Sequence, residues 1–285
     1  MLGAMGCFTS MGVFIRLSAA ELNALEVVFF RNFLALFWLS PWIWRQGITG
    51  LRTSRFGLYS LRSGLNLIGM IAGFTALTLI PLAEATALSF TAPLFATIGA
   101  VLVLGEVIRA RRVAALVAGF AGMLIVIRPG IEAVSFGAAL ALTNALMIAL
   151  TALVVKKLTA TERPSAIVVW MALLQTPFSL IPALFVWQWP SPTALFWLFC
   201  LAGAGTIGHL MWTRACAMAE ISQLQPMEFV KLPLIAALGF LLFGEVPTLW
   251  IWLGGAVIFA STVYITHREA QLARRRIAAE ERTLP

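Results

Sequence analysis

Aspartate is missing from this sequence altogether, so all 12 acidic residues are glutamates. That absence excludes an intramembrane aspartyl protease and the aspartate relays through which many pumps move protons. Histidine occurs only twice, and only His209 lies within a long apolar stretch, so no serine–histidine–acid set has partners at one depth. A Gly-x-x-x-x-Gly-Lys-Ser/Thr segment is also absent, which excludes direct use of ATP through a phosphate-binding loop. The three cysteines, Cys7, Cys200 and Cys216, fall in apolar runs and form neither a Cys-x-x-Cys pair nor a Cys/His cluster. No disulfide framework, metal or cofactor is therefore expected. Charge is scarce as well: 11% of the residues are charged, against about a quarter in a soluble domain.

What fills the sequence instead is hydrocarbon, with 61% of 285 residues hydrophobic. Such a chain cannot cover itself with polar surface, so its solvent is largely lipid, and an all-α integral membrane protein is expected. The net charge of +8 comes from basic residues at the ends of apolar runs rather than on one amphipathic face. They read as topology signals, and no nucleic-acid partner is expected. The first run begins at Leu2 with no basic region before it and no small-residue cleavage site after it, so it reads as a mature helix rather than a signal peptide.

A helix needs roughly 20 apolar residues to cross a bilayer. Ten spans meet this pattern, at about 2–18, 22–44, 57–80, 82–104, 112–128, 135–155, 165–187, 193–217, 221–243 and 247–266. Joints such as IPLAEA (80–85) and FGEVP (243–247) suit tight hairpins between antiparallel helices. Every second connection is basic: Arg45, Arg52, Arg55 and Arg62, then Arg109, Arg111 and Arg112, then Lys156, Lys157 and Arg163, then Arg214, and a tail with Arg268 and Arg274–Arg276. The intervening connections hold only Arg128. Positive loops stay in the cytoplasm, so both termini are expected inside.

The sequence also repeats. FTAPLFATIGAVLVLGE (90–106) aligns without gaps on FVKLPLIAALGFLLFGE (229–245), Ala83-Glu84 on Ala219-Glu220, and GAMGCFTS (3–10) on GAALALTN (137–144). Five helices are followed by five related ones, and because five is odd the second set must enter the bilayer upside down. LGEVIRARR (104–112) keeps its arginines at the cytoplasmic side, whereas FGEVPTLW (243–250) has none. Inverted repeats of this kind characterise secondary transporters, with the site near the midplane between halves. The expected units are 1–130, 131–268 and a basic cytoplasmic tail at 269–285.

Polar residues deep in apolar spans are the candidates for function. Glu228 and Lys231 lie three residues apart on one face of the ninth span, flanked by Pro226 and Pro233. They suit a substrate site or gate, and equally a mutually neutralising structural pair. His209 and Trp212 share a face of the eighth span. Asn66, Thr9, Ser10, Thr143 and Asn144 lie at middle depth, where cavity lining competes with helix–helix hydrogen bonding. Arg31 and Asn32 read as mainly structural, with Glu26 a partner for the arginine. GMIAG (69–73) and AGFAG (118–122) permit close helix approach, and the tryptophans cluster at span ends as interfacial belts.

Ten helices in two five-helix halves, each with a proline-containing helix, a Gly-Glu turn and a Gly-rich last helix, resemble the EamA family of the drug/metabolite transporter superfamily. Within it the sequence is most similar to YddG-type exporters of aromatic and other amino acids. The resemblance implies a central cavity among the first, third, fourth, sixth, eighth and ninth helices and alternating access by rocking of the halves. It places Thr9, Asn66, Ser89, Asn144, His209, Trp212, Glu228 and Lys231 on cavity-forming helices, leaves Arg31 peripheral, and makes Pro93, Pro226 and Pro233 gating candidates. The expectation is a non-enzymatic, monomeric exporter of amino acids in the bacterial inner membrane, with membrane lipids as its surroundings. Glu228 is nearly the only carboxylate for proton coupling, so facilitated efflux also fits. Nucleotide-sugar or organic-phosphate cargo should need several midplane cations, and Lys231 is the clear one; a cationic drug is a further alternative. A retinal-binding or other non-transport membrane protein is opposed by the repeat.

Overall fold

The computed structural model describes residues 1–46, 53, 55–92, 94–96, 98, 110–127, 135–218, 227–228 and 230–281. They form ten helices: α1 (Leu2–Ala19), α2 (Ala24–Gln46), α3 (Phe56–Leu79), α4 (Leu82–Ser89), α5 (Ala110–Ile127), α6 (Phe136–Thr159), α7 (Pro164–Leu184), α8 (Pro192–Met218), α9 (Lys231–Phe243) and α10 (Leu249–Glu281). Among the described residues, α1, residues 24–41 of α2, α6, α7 and α8 are long and apolar enough to cross a membrane. The stretches Val113–Ile127, Lys231–Phe243 and Leu249–Tyr264 are shorter apolar helices.

Local chemistry sets several helix starts. Asn23 caps α2 by accepting from Leu25 N–H at 3.0 Å, while Glu26 reaches back to Asn23 N–H at 3.0 Å, a reciprocal capping box. Ser135 caps α6 through Ala138 N–H, and Ser191 caps α8 through Ala194 N–H, with Pro192 in the first helical position where its missing donor costs nothing. Gly244 ends α9 at φ +68°, a left-handed conformation that only glycine adopts without strain.

The packing repeats. α1 lies along α8 as α3 lies along α6; α1 touches α9 as α6 touches α4; α2 packs on α8 as α7 packs on α3. Three further pairs, α2 with α7, α4 with α9 and α5 with α10, join counterparts of the two halves. Each of these pairs maps onto another, or onto itself, when the halves are exchanged. α5 and α10 meet backbone to backbone: a Cβ on Gly122 would lie 2.9 Å from the Gly254 carbonyl, and one on Gly254 would lie 2.6 Å from that of Gly122. Outward faces carry exposed large apolar side chains, Phe37, Phe178, Phe240 and Leu241 among them, as lipid contact requires.

Three expectations change. The span at 82–104 is interrupted, because α4 ends at Ser89 and Phe90–Thr91 form a turn before helical residues resume. Pro93 has no N–H to offer the Ser89 carbonyl, which removes one bond of a continuous helix there. Of the ninth span, residues 219–226 and 229 lie outside the described residues; Met227 and Glu228 are helical, and α9 begins at Lys231, so Pro233 occupies its first turn, where it breaks no helical bond. It does not loosen a helix interior. Arg62, assigned to a cytoplasmic connection, lies inside α3 and is fully buried. Pro93, Pro226 and the first Gly-Glu pair, Gly105-Glu106, lie outside the described residues.

Candidate substrate-binding site

Six helices enclose a cavity of about 250 Å³. Phe8 and Met11 come from α1, Arg62, Asn66 and Phe74 from α3, Thr86 and Ser89 from α4, and Asn144 and Met147 from α6. His209 and Trp212 come from α8, while Glu228 precedes α9 and Lys231 opens it. These are the helices that the resemblance implied. Of the eight binding candidates read from the sequence, Asn66, Ser89, Asn144, His209, Trp212, Glu228 and Lys231 share this lining, and Thr9 does not. Thr9 is buried, with its hydroxyl donating to the Met5 carbonyl at 2.9 Å. Its counterpart Thr143 turns outward and bonds Ala139 of its own helix.

Glycines set the positions of the polar groups. A Cβ on Gly73 would lie 2.8 Å from the Asn144 carboxamide, and one on Gly69 would lie 3.3 Å from Asn144 Oδ1. The α3 glycines thus form the socket that seats Asn144 between the helices. Among the described residues, Asn66 Nδ2 donates only to the weak acceptor Met171 Sδ, at 3.7 Å. Phe8 meets His209 edge to face at 5.3 Å between ring centroids, and the bare face of Gly208 accommodates Phe8. Lys231 Nζ donates to Glu228 Oε2 at 3.4 Å and stands 5.9 Å from the Phe90 ring centroid, so part of its charge is met. Thr86 and Ser89 donate to carbonyls of their own helix at 2.8 and 2.7 Å, which leaves their oxygens as acceptors.

The arginines alter the electrostatics expected from sequence. Arg31 does not pair with Glu26, whose carboxylate accepts from the Asn23 and Gln188 backbones. Instead Arg31 is fully buried, donates from Nη1 to Asn32 Oδ1 at 3.0 Å, and packs on the bare face of Gly205, where a Cβ would lie 3.0 Å from its guanidinium. Among the described residues its Nε and Nη2 have no partner, and all three nitrogens of Arg62 have none either. Arg62 lies within reach of the cavity, so Lys231 is not the sole cation there. A buried charge left without a partner is costly, which makes an unmet arginine a functional signal. The signal was present in the sequence, since Arg62 lies within the span read at 57–80.

Arg16 was also missed. Its Nη1 pairs with Glu245 Oε1, while its Nε and Nη2 donate to the Leu77 and Ile80 carbonyls at 3.0 and 2.7 Å. Glu245 also accepts from Leu82 N–H at 2.9 Å. This one pair ties together the end of α1, the α3–α4 turn and the α9–α10 turn. The same carboxylate explains the second Gly-Glu motif: Gly244 makes the left-handed turn and Glu245 reaches across to α1.

The EamA-like transporter family model matches this chain twice, over residues 1–128 and 135–267. The chain belongs to that family. A riboflavin transporter of Vibrio cholerae is 38% identical over 247 residues, covering 85% of this chain and 82% of that protein. An S-adenosylmethionine uptake transporter of Rickettsia felis is 28% identical, covering 90% and 87%. The pseudopaline exporter CntI of Pseudomonas aeruginosa is 24% identical, covering 91% and 92%. A solved crystal structure matches with a TM-score of 0.66 at 16% identity, over 93% of this chain and 96% of that one, which speaks to the fold. The EamA-like protein is thus a multi-pass membrane transporter of the drug/metabolite superfamily.

Proposed function

We propose that this EamA-like protein carries riboflavin, or a close flavin, into the cell across the bacterial inner membrane by alternating access. The observation that carries the reading is the 38% identity to a riboflavin transporter over 85% of the chain. The cavity chemistry supports it. A flavin ring is flat and largely apolar on its faces, which suits the aromatic and thioether groups of Phe8, Phe74, Trp212 and Met147. Its imide edge sets an N–H between two carbonyl oxygens, and a carboxamide offers an acceptor beside a donor. Asn66 and Asn144 bring two such groups from two packed helices. The hydroxyls of the sugar-alcohol tail have partners in the Thr86 and Ser89 oxygens and the Glu228–Lys231 pair. S-adenosylmethionine, a cation at its sulfur, is a poorer match to a wall where Arg62 and Lys231 outnumber Glu228.

The amino-acid cargo expected from the sequence draws no support from these relatives, whose names give riboflavin, S-adenosylmethionine and pseudopaline. Uptake replaces export in this reading because the S-adenosylmethionine relatives are named for uptake. The two halves, 1–130 and 131–268, are taken to lie head to tail in the bilayer with both termini cytoplasmic. The double family match and the exchange pattern of helix packing support this. Rocking of one half on the other would then open the cavity to each side in turn, and a single chain would suffice. In this topology the Arg16–Glu245 pair holds the external mouth shut.

Labelled riboflavin supplied to proteoliposomes of the purified protein, with and without a pH gradient, tests the proposal. Saturable riboflavin uptake that excess phenylalanine leaves untouched is the expected result. Movement of phenylalanine or S-adenosylmethionine with none of riboflavin would overturn it.

A further inference from the structure

Arg62 is the least explained side chain in the molecule. It is fully buried within α3, lines the cavity, and among the described residues none of its three guanidinium nitrogens has a hydrogen-bond partner. The neighbouring acid does not serve it: Glu162 accepts from the Tyr59 and Thr53 hydroxyls at 3.1 and 2.8 Å, and not from Arg62. Glu228, across the cavity, takes Lys231. A second buried cation, Arg31, lies within electrostatic range, as does His209, whose Nδ1 is likewise unpartnered. Arg31 cannot turn away, because Asn32 and the surface of Gly205 hold its guanidinium.

Two buried cations repel one another, and each carries donors that lost water on folding without gaining a partner. A structural role would call for a carboxylate, and the described residues bring none to Arg62. We propose that Arg62, in the positive potential of Arg31 and in the same cavity lining as His209, is a subsite for a compact anion within the cavity. The guanidinium presents a planar fork of donors that suits an oxyanion such as phosphate and also accepts a halide. His209 Nδ1 adds a further donor when its N–H is on that atom. Riboflavin is uncharged, so the subsite implies one of two sources. The anion is an inorganic co-ligand, or it is a phosphate group borne by the cargo itself, as in a phosphorylated flavin. The subsite stands without the riboflavin reading, because it follows from the arginines alone.

The test is thermal unfolding of the full-length protein in detergent, followed by tryptophan fluorescence. Gluconate at constant ionic strength is replaced stepwise by chloride or by phosphate, and flavin mononucleotide and riboflavin are titrated separately. A ligand that binds the folded state alone raises the melting temperature in a saturable way. Wild type should rise by several degrees with chloride or phosphate, or with flavin mononucleotide alone if the cargo supplies the charge. Arg62→Gln should lose that rise. Arg62→Lys, which keeps charge but not the fork, should retain it at affinity weakened about tenfold or more. In gluconate, Arg62→Gln should melt no lower than wild type, because it removes an unmet charge. An equal anion response in wild type and Arg62→Gln overturns the subsite. So does the absence of any anion response in wild type, a result that needs no variant to fold. A riboflavin response without an anion response would retain the transport reading and remove this one.

Discussion

Asn144 is seated by what α3 lacks: the bare faces of Gly69 and Gly73 receive its carboxamide, and either glycine with a side chain would collide with it. Such a group loses little freedom on binding, so it should contribute to recognition more than its mobile equivalent would. Asn144→Ala should raise the KM for riboflavin about tenfold or more, as expected when a polar ligand edge goes unpaired, with near-normal folded yield. Asn66→Ala, which gives up only a sulfur contact, should behave likewise; wild-type KM in both variants would remove the carboxamides from the site. Lys231→Ala and Glu228→Gln should impair transport while leaving yield intact, since the pair is partly open to the cavity. Wild-type rates in both would return it to a structural role. Depth within an apolar run singled out Asn66, Asn144, His209, Trp212 and the 228/231 pair as candidates while leaving structural roles open, and all of them line the cavity. It failed for Thr9, because a threonine at the right depth can spend its hydroxyl on its own helix, and the spacing of residues does not reveal which way it turns.

At the scale of the helix, the ties between ends matter most. Arg16 crosses from α1 to Glu245 beyond α9, and the pair is only about a fifth exposed. A double-mutant cycle with Arg16→Gln and Glu245→Gln should give a coupling of about 0.5–3 kcal/mol in thermal unfolding, and additive effects would show that the pair does not act as a unit. Nearby, the exposed Glu21 accepts from Ser191 N–H at 2.7 Å and Oγ–H at 2.6 Å, and these bonds hold its carboxyl below the usual carboxylate range. A depressed value means that its contribution is present above the ordinary carboxylate pKa and fades as pH falls through the lowered one. The stability advantage of wild type over Glu21→Gln should therefore be constant near neutral pH and vanish in acid. An advantage unchanged at pH 3 would sink the assignment. Hydropathy located the helices but assigned Arg62 to a loop and passed over Arg16, and both turn back into the protein. Pro93 likewise signalled a break in the fourth span that length alone had smoothed over.

For the whole molecule, the aligned segments of the two halves already implied two related units before any packing was known, and the family model matches twice. What the pattern of residues could not convey is which helices touch, because packing in lipid rests on glycine surfaces and single polar contacts rather than on a hydrophobic stripe. Tags placed at either end of the chain should react from the same side of the membrane, the cytoplasmic one. Ends found on opposite sides would dismantle the head-to-tail arrangement and the access mechanism built on it.

Gly122 and Gly254 have one more consequence. Two backbones this close leave no slack between α5 and α10, so the halves cannot part along that edge. In the rocking proposed above, the swing that opens the cavity would pivot there, like covers about the spine of a book. A leucine at either glycine would then do more than loosen the protein. It would force the spine ajar, and the proposed rocking would lose its fixed axis.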